Sequence, residues 1–193
     1  MKSVLIVIHD METGGAQKSL LNFLHTLSKT EKKSEYKFYL MIAKPGGTFY
    51  KLIPDFVHIL PPSKELQWLG TKISKALFVQ RFSLAGFLGK ISWILRNAFG
   101  CFQSKLNLQQ RLWENWKKFV PSNPDYYDIA ISYMDGFTNY YVMDKVKAGK
   151  KVLWVHNEYQ KIKYDPIFDQ PYYNECNRII TISEKCRRCI LQE

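Results

Sequence analysis

Hydrophobic positions along this chain switch repeatedly between unbroken runs and helical spacing. Ser3 to Ile8, "SVLIVI", is a continuous β-branched and leucine run, the pattern of a strand buried on both faces of a parallel sheet. After the polar loop that begins at His9, Ala16, Leu20, Phe23, Leu24 and Leu27 recur at the 3.6-residue period, which predicts a helix from about Gly15 to Ser28. Tyr36 to Ala43 reads as a second strand closed by Pro45, Gly46 and Gly47, and Phe56 to Leu60 as a third closed by Pro61 and Pro62. Asp128 to Tyr133, Lys151 to His156 and Arg178 to Ser183 follow as strands between helix-compatible stretches. This alternation predicts an α/β fold, a Rossmann-like open and mostly parallel sheet with helices on both faces. Ligands of such sheets bind beyond the carboxyl ends of the strands. The residues of interest are therefore His9 to Gly15, Met134 to Phe137, His156 to Tyr159, and Ser183.

One connection breaks the alternation. Ser63 to Pro121 separates the third and fourth strands where one short helix normally suffices. Leu84, Phe87, Leu88, Ile91, Leu95, Ala98 and Phe102 keep i, i+3, i+4 spacing, as do Leu112, Trp116 and Phe119, so the segment from about 64 to 120 is expected to be an insertion of amphipathic helices. It is also where the charge lies. The 193 residues carry a formal +11, and residues 64–118 hold +8 of it, with Glu65 and Glu114 as their only acids. Such a local field attracts nucleic acid, anionic lipid or phosphorylated ligands alike, and no nucleic-acid recognition motif accompanies it. Trp68, Trp93, Trp113 and Trp116 interleaved with Lys and Arg suit a segment lying on an anionic membrane surface. The alternative is that the same apolar faces pack on the domain core.

The length is that of one domain. No uncharged apolar run approaches the roughly 18 to 20 residues of a membrane-spanning helix, because Arg81, Lys90, Arg96 and Lys105 interrupt the most hydrophobic region. Cys101, Cys176, Cys186 and Cys189 follow no disulfide framework, and reduced thiols in a cytoplasmic protein are expected. Cys186 and Cys189 fall in the helix expected after Ser183 without a second ligand pair, which argues against a metal site.

The candidate chemistry sits at strand ends. Gly14 and Gly15 open the first helix, where they either let backbone N–H groups approach a ligand or simply make a tight turn. The full G-x-G-x-x-G fingerprint and the phosphate-binding G-x-x-x-x-G-K-[ST] loop are both lacking. His156, with Asn157 and Glu158 beside it, can hydrogen-bond a ligand hydroxyl or carbonyl at neutral pH, or serve as an ordinary structural histidine. Asp135 with Gly136, and His9 with Asp10, are candidates of the same kind.

Four segments in register, "GGAQKSLLNFLHTL", "YDIAISYMDGFTNYY", "KKVLWVHNEY" and "RIITISEKCRR", resemble the N-terminal domain of glycosyltransferase family 4, especially bacterial enzymes of surface-polysaccharide synthesis. The resemblance covers roughly residues 1–55 and 124–190. It implies that residues 1–193 are the acceptor-side Rossmann-like half of a GT-B glycosyltransferase with a helical insertion. It further implies a retaining, metal-independent transfer, without cofactor, from a nucleotide sugar to a glycan or lipid-linked acceptor at the inner face of the cell membrane. Gly14 and Gly15 would approach the donor diphosphate and His156 the transferred sugar, with Asp135, Asn157, Thr181 and Ser183 as further binding candidates. Gln17 departs from the family, where Glu is common, and Glu158 stands where an Asp often follows the histidine. The nucleotide is expected on a C-terminal donor domain that these residues do not include, so the isolated chain is expected to be inactive, as a truncated form or a split subunit. The competing expectation is a membrane- or partner-docking module with a vestigial cleft.

Overall fold

A computed structural model describes residues 1–69, 83–101 and 105–191. Six parallel strands form one open sheet in the order β3-β2-β1-β4-β5-β6. They are β1 (Lys2–Ile8), β2 (Tyr36–Ile42), β3 (Val57–Leu60), β4 (Tyr126–Ser132), β5 (Lys147–Val155) and β6 (Arg178–Thr181). The helices are α1 (Gly15–Ser28), α2 (Lys64–Leu69), α3 (Leu84–Ala98), α4 (Leu108–Trp116), α5 (Phe137–Lys145), α6 (Tyr159–Ile162), α7 (Pro166–Glu175) and α8 (Glu184–Leu191). The Rossmann-like α/β architecture is thus the one the alternation of patterns predicts.

β1 shows why an unbroken apolar run marks a central parallel strand. Val4, Ile6 and Ile8 pack with Leu20 and Leu24 of α1 on one face, while Leu5 and Val7 join Trp113, Trp116 and Tyr140 on the other. β5 begins four residues before the expected Lys151. Its first residues, "KAGK", have Ala148 as their one apolar side chain, and Lys147 and Lys150 are exposed; backbone pairing with Tyr126 to Ile129 of β4 extends the strand there.

The insertion is helical as expected, but its faces are arranged differently. Trp68, Trp113 and Trp116 are fully buried, so these indoles belong to the core and not to a membrane face. α3 lies across two of them through its small residues. A Cβ added at Gly86 would meet the Trp68 ring at 2.9 Å, and one at Gly89 the Trp116 ring at 2.8 Å. This close approach turns the apolar stripe outward, leaving Leu84, Leu88, Ile91 and Leu95 exposed. Phe102 and the basic residues Lys72, Lys75 and Arg81 lie outside the described residues.

A buried polar cluster fastens the insertion to the chain after β5. The Asn107 and Gln110 side chains form a capping box at the start of α4. The fully buried Gln110 amide donates to Asp165 O at 2.9 Å and Asp169 Oδ1 at 2.8 Å, and accepts from Asp165 N at 2.9 Å. Asn107 Nδ2 donates to Ile162 O at 2.7 Å. Asp169 also accepts from the hydroxyls of Tyr140 at 2.7 Å and Tyr159 at 2.8 Å.

Candidate functional site

From β1 the chain runs outward through β2 and β3 and then returns to β4 on the opposite side, so β1 and β4 flank the point where strand order reverses. Crevices at such points are the usual ligand sites of open parallel sheets. His9 and Asp10 leave β1 there, Asp135 follows β4, and His156 follows β5 on the adjoining strand. His9 meets Phe137, the first residue of α5, edge to face with ring centroids 5.2 Å apart. Asp135 Oδ1 accepts from His156 N at 3.3 Å, and the Asp135 carboxylate takes both of its contacts with Asn157 Nδ2 at 2.9 and 3.1 Å. Asp135 therefore organises the loop that carries His156. Tyr133 connects the same parts from below, with its ring 4.4 Å from Trp154 and 5.6 Å from His156 and its hydroxyl 3.2 Å from Ser19 Oγ of α1.

Both histidines are held neutral. Burial lowers the pKa of His156 below the ordinary value, against Asp135 and the Tyr133 backbone carbonyl, which raise it. Burial likewise lowers His9, opposed by Asp10 and assisted by Lys44. His156 Nε2 is buried without a protein partner. A neutral imidazole carries one donor and one acceptor nitrogen. His9 Nδ1 is also buried without a partner.

Gln17 has a local role in this loop. Gln17 is buried, and its Nε2 donates to Asp10 Oδ1 at 2.9 Å, the same oxygen that accepts from Glu12 N at 3.1 Å. An amide can donate to Asp10, whereas a carboxylate would oppose it. Gln17→Glu is expected to cost about 1 to 2 kcal/mol at pH 7, with the loss recovered on acidification as one of the two carboxyls takes up a proton. Thermal melts across pH test this; equal stability of the two proteins at pH 7 counts against the pairing.

Gly14 is the N-cap of α1, without a side-chain cap and with no acid in the first turn. Gly47 holds the neighbouring loop in place. Its φ is +106°, and a Cβ there would meet the Met11 backbone at 2.5 Å, beside the bond from Phe49 N to Met11 O at 2.8 Å. Between α1 and the Tyr50–Leu52 turn lies a cavity of about 630 Å³ lined by Gly14, Gly15, Lys18, His25, Phe49 and Leu52 among others. The glycine pair and His156 share the carboxyl edge of the sheet, but His156 does not line this cavity.

The remaining candidates lie further off. β6 is three strands from β1, roughly 14 Å across the sheet. Ser183 Oγ accepts from Cys186 N at 3.2 Å and so caps α8, and Thr181 Oγ1 donates to Ser183 O at 3.4 Å. Cys186 and Cys189 are buried free thiols of α8. Glu158 is bridged by Lys185 at 3.0 Å and Lys161 at 3.1 Å, bonds that hold its carboxyl below the usual range. Tyr133, Gln109 and Asp169 are site-shaping residues that the sequence reading did not single out. Gln109 Oε1 accepts from Phe137 N at 3.4 Å at the start of α5. The one sequence signal was Asn107 followed three residues later by Gln110, a helix-start pattern.

The chain matches no protein-family model, no curated protein and no solved structure. Among the described residues no helix is long and apolar enough to cross a membrane.

Proposed function

We propose that this domain is the acceptor-side half of a retaining glycosyltransferase that moves a sugar from a nucleotide-sugar donor to a glycan or lipid-linked acceptor in surface-polysaccharide synthesis. The observation that supports it most is the row of His9, Asp135 and His156 at the ends of three adjacent strands beside the point of strand-order reversal. Sugars present neutral hydroxyls, which neutral imidazoles and a loop fixed by a carboxylate suit better than free charges do. His156, a neutral imidazole at the end of β5, would hydrogen-bond a hydroxyl of the transferred sugar. The uncapped start of α1 at Gly14 and Gly15 faces the donor diphosphate. In this reading the nucleotide is held by a second Rossmann domain, no metal takes part, and the protein works at the cytoplasmic face of the membrane.

The test is a transfer assay with UDP- and GDP-sugars and lipid-extracted acceptors, run with the chain alone and with the domain or subunit that supplies the donor site. Transfer with retention is expected only in the assembled enzyme; robust transfer by the 193 residues alone would show the donor site to be misplaced here. Gly15 provides a clean probe, since a Cβ at this position meets no atom within 4 Å. Gly15→Leu is expected to leave the melting temperature unchanged and to raise the donor KM at least about tenfold by obstructing the backbone's approach to phosphate. An unchanged donor KM removes the glycine pair from the site.

A further inference from the structure

We infer that the outward face of α3 is the surface by which this protein seats itself on an anionic lipid bilayer. The inference rests on the membrane location in the reading above and is independent of its sugar chemistry.

α3 is amphipathic in the reverse sense to an ordinary surface helix. Its inner side packs Phe87 on the core and is otherwise small or polar: Gly86 and Gly89 lie against Trp68 and Trp116, and Ser92 Oγ donates to Asn115 Oδ1 at 2.8 Å. Both of its cations are engaged there. Lys90 Nζ lies 5.4 Å from the Trp116 ring centre and donates to Leu69 O at 3.4 Å, and Arg96 pairs with Glu114 at 2.7 Å. Leu84, Leu88, Ile91, Leu95 and, just past the end, Phe99 form the outer side, with Phe99 77% exposed and Leu84 63%. At 3.6 residues per turn these positions fall within one stripe, and fifteen residues extend it to about 22 Å. Covering a stripe of this size normally requires a partner surface.

Charge selects the partner. The stripe carries no ionisable group, and the sequence around it, residues 64–118, holds +8. Its two acids are occupied within the fold, since Glu65 accepts from the Ser83 hydroxyl and Glu114 holds Arg96. Lys64, Lys105 and Lys118 on the flanking segments are exposed. A second copy of this chain would bring the same positive field against it, and like charges repel. An anionic bilayer supplies both parts at once, a negative headgroup layer for the lysines and, just beneath, hydrocarbon for a helix lying in the plane of the interface. The buried tryptophans take no part, so the contact is made by the aliphatic side chains and Phe99.

Co-sedimentation with phosphatidylcholine vesicles, with and without phosphatidylglycerol, tests the inference. Wild-type protein is expected to bind the anionic vesicles preferentially and to lose part of that binding in high salt. Leu88→Glu with Leu95→Glu should weaken binding at least about a hundredfold, and Lys105→Glu with Lys118→Glu should abolish the preference for anionic lipid. Both Leu side chains are exposed, so circular dichroism should show an intact fold. As a readout that needs no charge on the face, Leu88→Cys in a Cys101→Ser background, labelled with an environment-sensitive dye, should shift to the blue on anionic vesicles. Equal binding to both lipids, no binding, or an unshifted dye overturns the inference. So does a dimer in sedimentation equilibrium that Leu88→Glu with Leu95→Glu dissociates. None of these outcomes touches the sugar-transfer assay, so the two readings fail separately.

Discussion

Asp169→Ala is expected to destabilise the domain by about 3 to 5 kcal/mol, a large part of the roughly 5 to 15 kcal/mol that holds a domain folded. Asp169 is 1% exposed and accepts from Gln110 Nε2, Tyr140 OH and Tyr159 OH. Alanine would strand three buried donors. Asp169→Asn should cost far less, because Oδ1 already receives two of the three bonds and the new amide can donate to the Tyr159 hydroxyl in place of the third. The pH dependence separates the two variants further. Burial raises the Asp169 pKa above the ordinary carboxylate value, against the three hydrogen bonds, which lower it. A raised folded-state pKa means that the stability linked to this group is fully present below its unfolded value and is lost as pH rises through the folded one. That part of the pH dependence should vanish in Asp169→Asn. Denaturant melts of the three proteins from pH 4 to 8 decide it, and an alanine variant as stable as wild type would mean that the cluster holds nothing together.

The consequence for the site is mechanical. The cluster joins α4, α5, α6 and α7, and α6 begins directly after the loop that carries His156, Asn157 and Glu158. The insertion is therefore hydrogen-bonded to the elements that follow the strand-end loop on which the proposed chemistry depends.

Much of this architecture was legible in the sequence wherever a single element decides its own fate. The apolar run of β1 and the 3.6-residue period of α1 specify strand and helix by local pattern alone, and α1 occupies the expected Gly15–Ser28. His9, Asp135 and His156 could be placed at the carboxyl edge because each directly follows such a strand. The orientation of α3 was not legible in the same way. Periodicity reveals a stripe but not which side of it meets the protein, and that was decided by Trp68 and Trp116, which lie outside the helix in sequence. Gly86 and Gly89, one turn apart on the opposite side, were the available clue, because small residues at that spacing mark a close approach. The Asp169 cluster was hidden for a related reason: its bonds join residues as many as 59 positions apart, and no local pattern encodes them. The role of Gln17 is likewise visible only once the fold sets it against Asp10.

His156→Ala is expected to lower kcat for sugar transfer about a hundredfold, equivalent to about 2.7 kcal/mol, with little change in donor KM. The reasoning is positional. The ring stacks on Trp154 with centroids 6.0 Å apart at an interplanar angle of 13°, so the imidazole is held in place before substrate arrives. A preorganised hydrogen bond to a reacting sugar contributes most where water is excluded. Removing a half-buried ring should leave the fold intact, as circular dichroism would verify. The acid side of the pH profile identifies the protonation state that acts. His156 is depressed below the ordinary 6.5, so the neutral ring is present above that pH and is lost as pH falls through the folded value. Protonation removes the ring's one acceptor nitrogen, and transfer should decline over that interval. His156→Gln retains an acceptor oxygen at similar reach, so it should recover part of the rate and lose the His156-dependent acid limb. Wild-type turnover in the alanine variant, or an acid limb unchanged in the glutamine variant, would leave His156 a structural residue at the end of β5.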